Sequence, residues 1–143
     1  MKKIGLGYEN YKRIIDDECY YIDKTLLIRD VVEKGGMVTI FTRPRRFGKT
    51  LALSMLRTFF EAERDQNGSL IDNRRYFEGM KIMGCQEKIL SKQGQYPVIN
   101  LTLKSAKQSN FRQAFLNIRD GLRSLVRNVS RCSSVRSQNP NVT

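Results

Sequence analysis

The sequence predicts an α/β fold built on parallel strands, and three observations carry that expectation. Met37-Val38-Thr39-Ile40-Phe41-Thr42 is β-branched, nearly continuous and free of charge, as a strand covered on both faces would be. It leads through a short loop into Gly48-Lys49-Thr50 and straight on into an amphipathic helix. A second strand-like run, Val98-Ile99-Asn100-Leu101-Thr102-Leu103, follows further helical segments, and strands alternating with helices are the pattern of an α/β sheet.

Each element has its own local reason. Ile4 to Ile15 is mixed, with Tyr8 and Tyr11 placed like contacts on a turn or short helix. Cys19-Tyr20-Tyr21-Ile22 reads as a short aromatic strand. Asp23 can cap a helix starting at Lys24, because its carboxylate accepts orphan N–H bonds of a first turn. Leu26, Leu27, Ile28 and Val31 supply that helix's apolar stripe and Gly35-Gly36 its stop. After the loop, Leu51, Met55 and Phe59, with Leu56 and Phe60, recur at helical spacing to about Glu63. Asp65 to Gly68 supplies turn residues, and Asp72 to Met83 reads as a second helical stretch. A last helix is expected over roughly Asn110 to Val126, where Phe111, Phe115, Ile118, Leu122 and Leu125 form one face.

Composition removes whole classes of function. The 143 residues contain no histidine, which excludes His-dependent triads and His-containing zinc sites. Cys19, Cys85 and Cys132 are too scattered for a metal cluster or redox pair. An odd count without a secretion signal suits free thiols in a reducing cytoplasm, the expected location. No apolar run approaches the roughly 20 residues of a membrane span, so no membrane partner is expected. The formal charge of +12 is uneven, since residues 101–143 hold eight basic residues and a single acid, Asp120. Such asymmetry invites a nucleic-acid reading.

The chemistry concentrates in the loop. Gly48 lets the backbone approach a phosphate, and Lys49 is a point charge for β and γ phosphates. The Thr50 hydroxyl can ligate Mg²⁺, and the helix that follows offers free N–H groups at its start. The standard spacing asks for glycine five residues before Gly48, where this chain has Arg43. Arg45 and Arg46 add guanidinium forks suited to phosphate oxygens.

The stretches YYIDKT (Tyr20–Thr25), TIFTRPRRFGKTLALSML (Thr39–Leu56) and YPVINLTLKSAK (Tyr96–Lys107) together resemble the AAA-ATPase-like family, over about residues 1–126. In that family Arg-Pro-Arg-Arg-Phe-Gly-Lys-Thr is itself the phosphate-loop signature, and a restriction-endonuclease-like nuclease domain is often fused behind it. The resemblance implies ATP and Mg²⁺ as cofactors. It also implies nucleotide contacts from Arg43, Pro44, Arg45, Arg46, Phe47, Gly48, Lys49, Thr50 and Leu51, with Lys49 catalytic and Thr50 the metal ligand. It further implies a Walker B strand, an apolar run ending in Asp or Asp-Glu, and none follows Thr50. The expected architecture is therefore an incomplete P-loop NTPase fold, a parallel-sheet α/β arrangement with the Walker A strand and helix present and the Walker B strand missing. Thr39–Thr42 and Val98–Leu103 would then flank an open gap. Backbone groups left unpaired along two apolar edges predict a marginal, aggregation-prone chain.

The expected organisation is an N-terminal part of an AAA-ATPase-like domain over residues 1–127, then a disordered, basic, Ser-rich tail over 128–143. That tail resembles translation past a frameshift. The leading expectation is nucleotide binding through the phosphate loop without useful hydrolysis, the activating acid and any nuclease core lying outside this chain. Two readings compete with it. One is a basic nucleic-acid-binding module with a vestigial loop, using Arg112, Arg119 and Arg123 of the last helix. The other is a truncated remnant with no activity of its own.

Overall fold

The structure is a computed structural model that describes residues 3–5, 7–42, 44, 46–101 and 110–133, with the side chains of the last helix described to Arg123. Among the described residues five α-helices follow one another: α1 (Tyr11–Asp16), α2 (Leu26–Lys34), α3 (Lys49–Phe60), α4 (Glu87–Leu90) and α5 (Phe111–Ser133). Two 3-10 turns, Arg74–Phe77 and Lys81–Gly84, lie between α3 and α4.

The helices start and stop for legible reasons. Asn10 caps α1, its side-chain oxygen accepting from the Arg13 N–H at 3.3 Å. Gly35 closes α2 in the left-handed conformation, as its place in the sequence predicts. Helix α3 buries Met55, Thr58 and Phe59, the face expected from its spacing. The turn after it also forms as expected, with Asp65 Oδ1 accepting from the N–H groups of Asn67 and Ser69. Between Asp72 and Met83 the backbone departs from one continuous helix. Gly79 at φ 73° breaks it, leaving the two 3-10 turns on either side.

The core joins these pieces through aromatic rings. Phe77 lies 5.3 Å, centroid to centroid, from both Tyr11 and Phe59, so the first 3-10 turn ties α1 to α3. Ile14, Cys19, Ile28, Met55, Tyr76, Ile82 and Ile89 complete the buried cluster. The polar tip of Tyr11 within it is satisfied, because the Tyr11 hydroxyl donates to the Tyr76 carbonyl at 2.8 Å. Burial pushes the Tyr21 hydroxyl up to about 12.

The described residues form no parallel sheet. Among the described residues only three isolated bridges occur, Lys3 with Cys19, Glu61 with Tyr96, and Arg64 with Leu70, and no strand forms. Cys19–Ile22, Thr39–Thr42 and Val98–Leu101 are irregular chain; Thr102 and Leu103 lie outside the described residues. The α/β, P-loop-type fold expected from the sequence is thereby overturned. The physical reason lies in what a strand requires. A β-branched, apolar segment becomes a strand when another backbone supplies its ladder and side chains cover its faces. Here Val38 and Ile40 are 79% and 78% exposed and Ile99 63%, so neither segment has found such a cover. Helix α5 also runs past Val126 to Ser133, so the first part of the segment expected to be a disordered tail has helical backbone. Residues 134–143 lie outside the described residues. No helix among the described residues is long and apolar enough to cross a membrane.

Two carboxylates make the fold acid-sensitive. Burial pushes the Glu63 carboxyl up. Hydrogen bonds from Lys12 and Asn73 and the charges of Lys12 and Arg57 outweigh burial and hold it below the ordinary range. Burial likewise raises Asp23. Bonds from the Thr25 hydroxyl and from the Lys81 and Thr25 N–H groups outweigh it, and the net direction is again down. Groups with depressed folded pKa values add stability above their unfolded values, which lie near about 4. They withdraw it as pH falls through the lower folded values. Urea midpoints are therefore expected to fall between pH 6 and pH 3, and Glu63→Gln should flatten that slope. An equal slope in Glu63→Gln would remove Glu63 from this account.

Candidate functional site

The candidate site lies where the chain turns into α3. Gly48 is the N-cap at φ 72°, ψ 27°, with no side chain to cap the helix. The Gly48 carbonyl accepts from the Ala52 N–H at 2.8 Å, closing the first turn. The first-turn N–H groups, which lack intrahelical acceptors in any helix, thus face away from the helix body without a side-chain cap from Gly48. Arg46, two residues earlier, also has positive φ, 67°. For a residue with a Cβ, such backbone costs about 1–3 kcal/mol and is characteristic of ligand clamps and turns.

A cavity of about 630 Å³ opens against this loop. One wall is Arg46, Gly48, Lys49, Thr50 and Leu51; the other is Gly5, Gly7, Tyr8 and Glu9, with Ile14 of α1. The second wall is fixed by a small network. The Tyr8 hydroxyl donates to Asp17 Oδ2 at 2.6 Å, and the Cys19 thiol approaches the same hydroxyl at 3.6 Å. Those contacts, the Asp17 bond foremost, hold the Tyr8 proton far above its ordinary range. A Cβ on Gly5 would meet the Tyr8 ring at 2.9 Å, so the ring packs there only against a residue with no side chain. On the other side of Lys49, a second hollow is lined by Phe41, Thr42 and Pro44.

The residues expected from the sequence are therefore partly gathered. Arg46, Gly48, Lys49, Thr50 and Leu51 border one cavity, and Pro44 lies with Lys49 at the neighbouring hollow. Phe47 is exposed at the loop's crest. Arg43 and Arg45 lie outside the described residues. The N-terminal wall escaped the sequence reading, although Gly5 and Gly7 flanking Tyr8 were a visible signal of close backbone approach. So did Lys24, whose Nζ donates to the Phe47 carbonyl at 3.5 Å. Asp23 neither joins the loop nor caps a helix from Lys24: α2 begins at Leu26 with Thr25 at its N-cap and no side-chain cap, and the Asp23 oxygens accept from Thr25 and Lys81. Among the described residues no group of three or more His, Cys, Asp and Glu could hold a metal ion. On α5, Arg119 and Arg123 both lean on Asp120, at 3.2 and 3.9 Å, as charges on a solvated helix face do.

Comparison with known proteins adds a family. The model of the AAA-ATPase-like family, described as "Predicted AAA-ATPase", matches residues 5–142. A 60-residue stretch is 38% identical to a protein of Azotobacter chroococcum mcd 1 described as "Uncharacterized protein in vnfD 5'region". That stretch covers 41% of this chain and 11% of the relative's length. No solved structure matches.

Proposed function

The chain belongs to the predicted AAA-ATPase family, and from that premise we propose that its loop binds the triphosphate of ATP. Membership implies nucleotide binding in general; the loop assignment is ours. The observation that carries it is the start of α3. Left-handed Gly48, which puts no side chain over the helix start, borders one cavity together with Lys49, Thr50 and Arg46. Backbone N–H groups and the positive end of a helix favour an anion. A volume of about 630 Å³ lies within the range of small-ligand pockets.

The roles follow from chemistry. Lys49 supplies an ammonium to the outer phosphates, and Arg46 a planar fork able to grip two oxygens at once. Arg43, Pro44, Arg45, Phe47 and Leu51 complete the loop, Arg43 and Arg45 by their place in the motif. Thr50, exposed in the first turn of α3, would be the loop's hydroxyl ligand for a nucleotide-bound Mg²⁺.

Titration of the purified chain with a fluorescent ATP analogue tests the assignment. Lys49→Ala should weaken binding about tenfold or more, the scale of a lost charge-assisted contact. Affinity equal to the wild type would sink it.

A further inference from the structure

The segment Tyr20–Thr25 has no part in the loop reading, and the structure accounts for two of its residues at once. Asp23 Oδ1 accepts from the Thr25 hydroxyl at 2.6 Å and from the Thr25 N–H at 2.8 Å. Asp23 Oδ2 accepts from the Lys81 N–H at 2.8 Å. Thr25 is wholly buried, and its Oγ1 accepts from the Ile82 N–H at 3.1 Å. The pair clasps the entry of α2 to the second 3-10 turn. Lys24 stands between the two, its backbone held on both sides.

The side chain of Lys24 goes to the candidate site. Its Nζ donates to the Phe47 carbonyl at 3.5 Å, and a Cβ placed on Gly48 would lie 3.6 Å from the same nitrogen. An ammonium from a different part of the chain thus sits against the residue that opens α3. At 3.5 Å the bond to a neutral carbonyl is at the long limit of a hydrogen bond. An ammonium carries three donors, and a phosphate oxygen would give it a shorter, charge-assisted partner.

We propose that Lys24 is a second phosphate-binding lysine, gripping the polyphosphate of a nucleotide from the α2 side while Lys49 grips it from α3. Asp23 and Thr25 are its positioning residues. The inference rests on the phosphate-loop reading, and its chemistry serves a nucleoside triphosphate and an inorganic polyphosphate alike.

The decisive variant is Lys24→Gln, which keeps a polar side chain but removes the charge. Calorimetric titration of the full chain with ATP and with inorganic tripolyphosphate, at two salt concentrations, gives the readout. Lys24→Gln should weaken both ligands about fivefold to tenfold at low salt, with a smaller difference at high salt as charges are screened. Its melting temperature should match the wild type, and Lys24→Arg should recover most of the affinity. A weakened ATP response with unchanged tripolyphosphate binding would overturn the phosphate contact. So would wild-type affinity in Lys24→Gln while Lys49→Ala binds weakly, and the loop assignment would then stand alone. Wild-type affinity in Lys49→Ala instead brings down the loop assignment and the Lys24 proposal with it. Should Lys24→Gln fold poorly, Lys24→Arg decides: a fold and affinity close to wild type support the contact, and weak binding by a folded Lys24→Arg overturns it.

Discussion

Replacing Phe77 with alanine is expected to cost about 3–5 kcal/mol of folding stability, the range for truncating a buried aromatic side chain. Phe77 is fully buried and touches rings on both sides, Tyr11 at 5.3 Å and Phe59 at 5.3 Å. It comes from a 3-10 turn, so the cavity left behind would separate α1 from α3 rather than lie within one element. Native domains hold about 5–15 kcal/mol in total, and a loss of this size takes a large part of that. Urea unfolding followed by circular dichroism would show it as a lower midpoint. Phe115→Ala is the matched control, because Phe115 of α5 is 56% exposed and surface truncations usually stay within about 0.5 kcal/mol. A Phe115→Ala midpoint as low as that of Phe77→Ala would place α5 in the core and contradict the arrangement described above.

That contrast shows which parts of the fold were legible in the sequence. Leu51, Met55 and Phe59 announce α3 by spacing alone, and Gly35 and the Asp65 turn announce their stops, because helix and turn are decided within a few residues. Phe111, Phe115 and Leu122 announce a helix equally well, yet their exposure shows that an apolar face predicts a helix without naming what covers it. The strands failed for a related reason. Val38 and Ile40 carry the right propensity, but a ladder is a property of two segments, and propensity speaks for one. The site divides the same way. Gly48-Lys49-Thr50 is a local signal and was found. Lys24 reaches Phe47 across 23 positions, and Asp23 reaches Lys81 across 58; linear spacing carries neither.

Those long reaches make Thr25 the most informative buried polar residue. Thr25→Val keeps the shape of the side chain and removes only the hydroxyl. The Ile82 N–H, in a fully buried residue, loses its acceptor at 3.1 Å, and Asp23 loses its 2.6 Å donor. An orphaned buried N–H costs about 1–3 kcal/mol and a bond to a charged group about 1.5–3 kcal/mol. Asp23 keeps two backbone donors and some solvent, so the expected sum is about 2–4 kcal/mol. Thr25→Ser retains the hydroxyl and should lose only about 1 kcal/mol for the missing methyl. The pH dependence separates the two bonds. The Thr25 hydroxyl helps hold Asp23 below its ordinary range, so the Asp23 pKa rises in the valine variant. Wild type then loses more stability than Thr25→Val as pH falls through the Asp23 titration, and the gap between them narrows in acid. The part that persists in acid belongs to the Ile82 N–H. A valine variant as stable as wild type at neutral pH, or a serine variant equally damaged, would show that the clasp does not hold α2 to the second 3-10 turn. If the clasp holds, loosening it also frees the segment that carries Lys24 toward Phe47. A folded Thr25→Val chain should then bind tripolyphosphate more weakly than Thr25→Ser although neither substitution touches the loop.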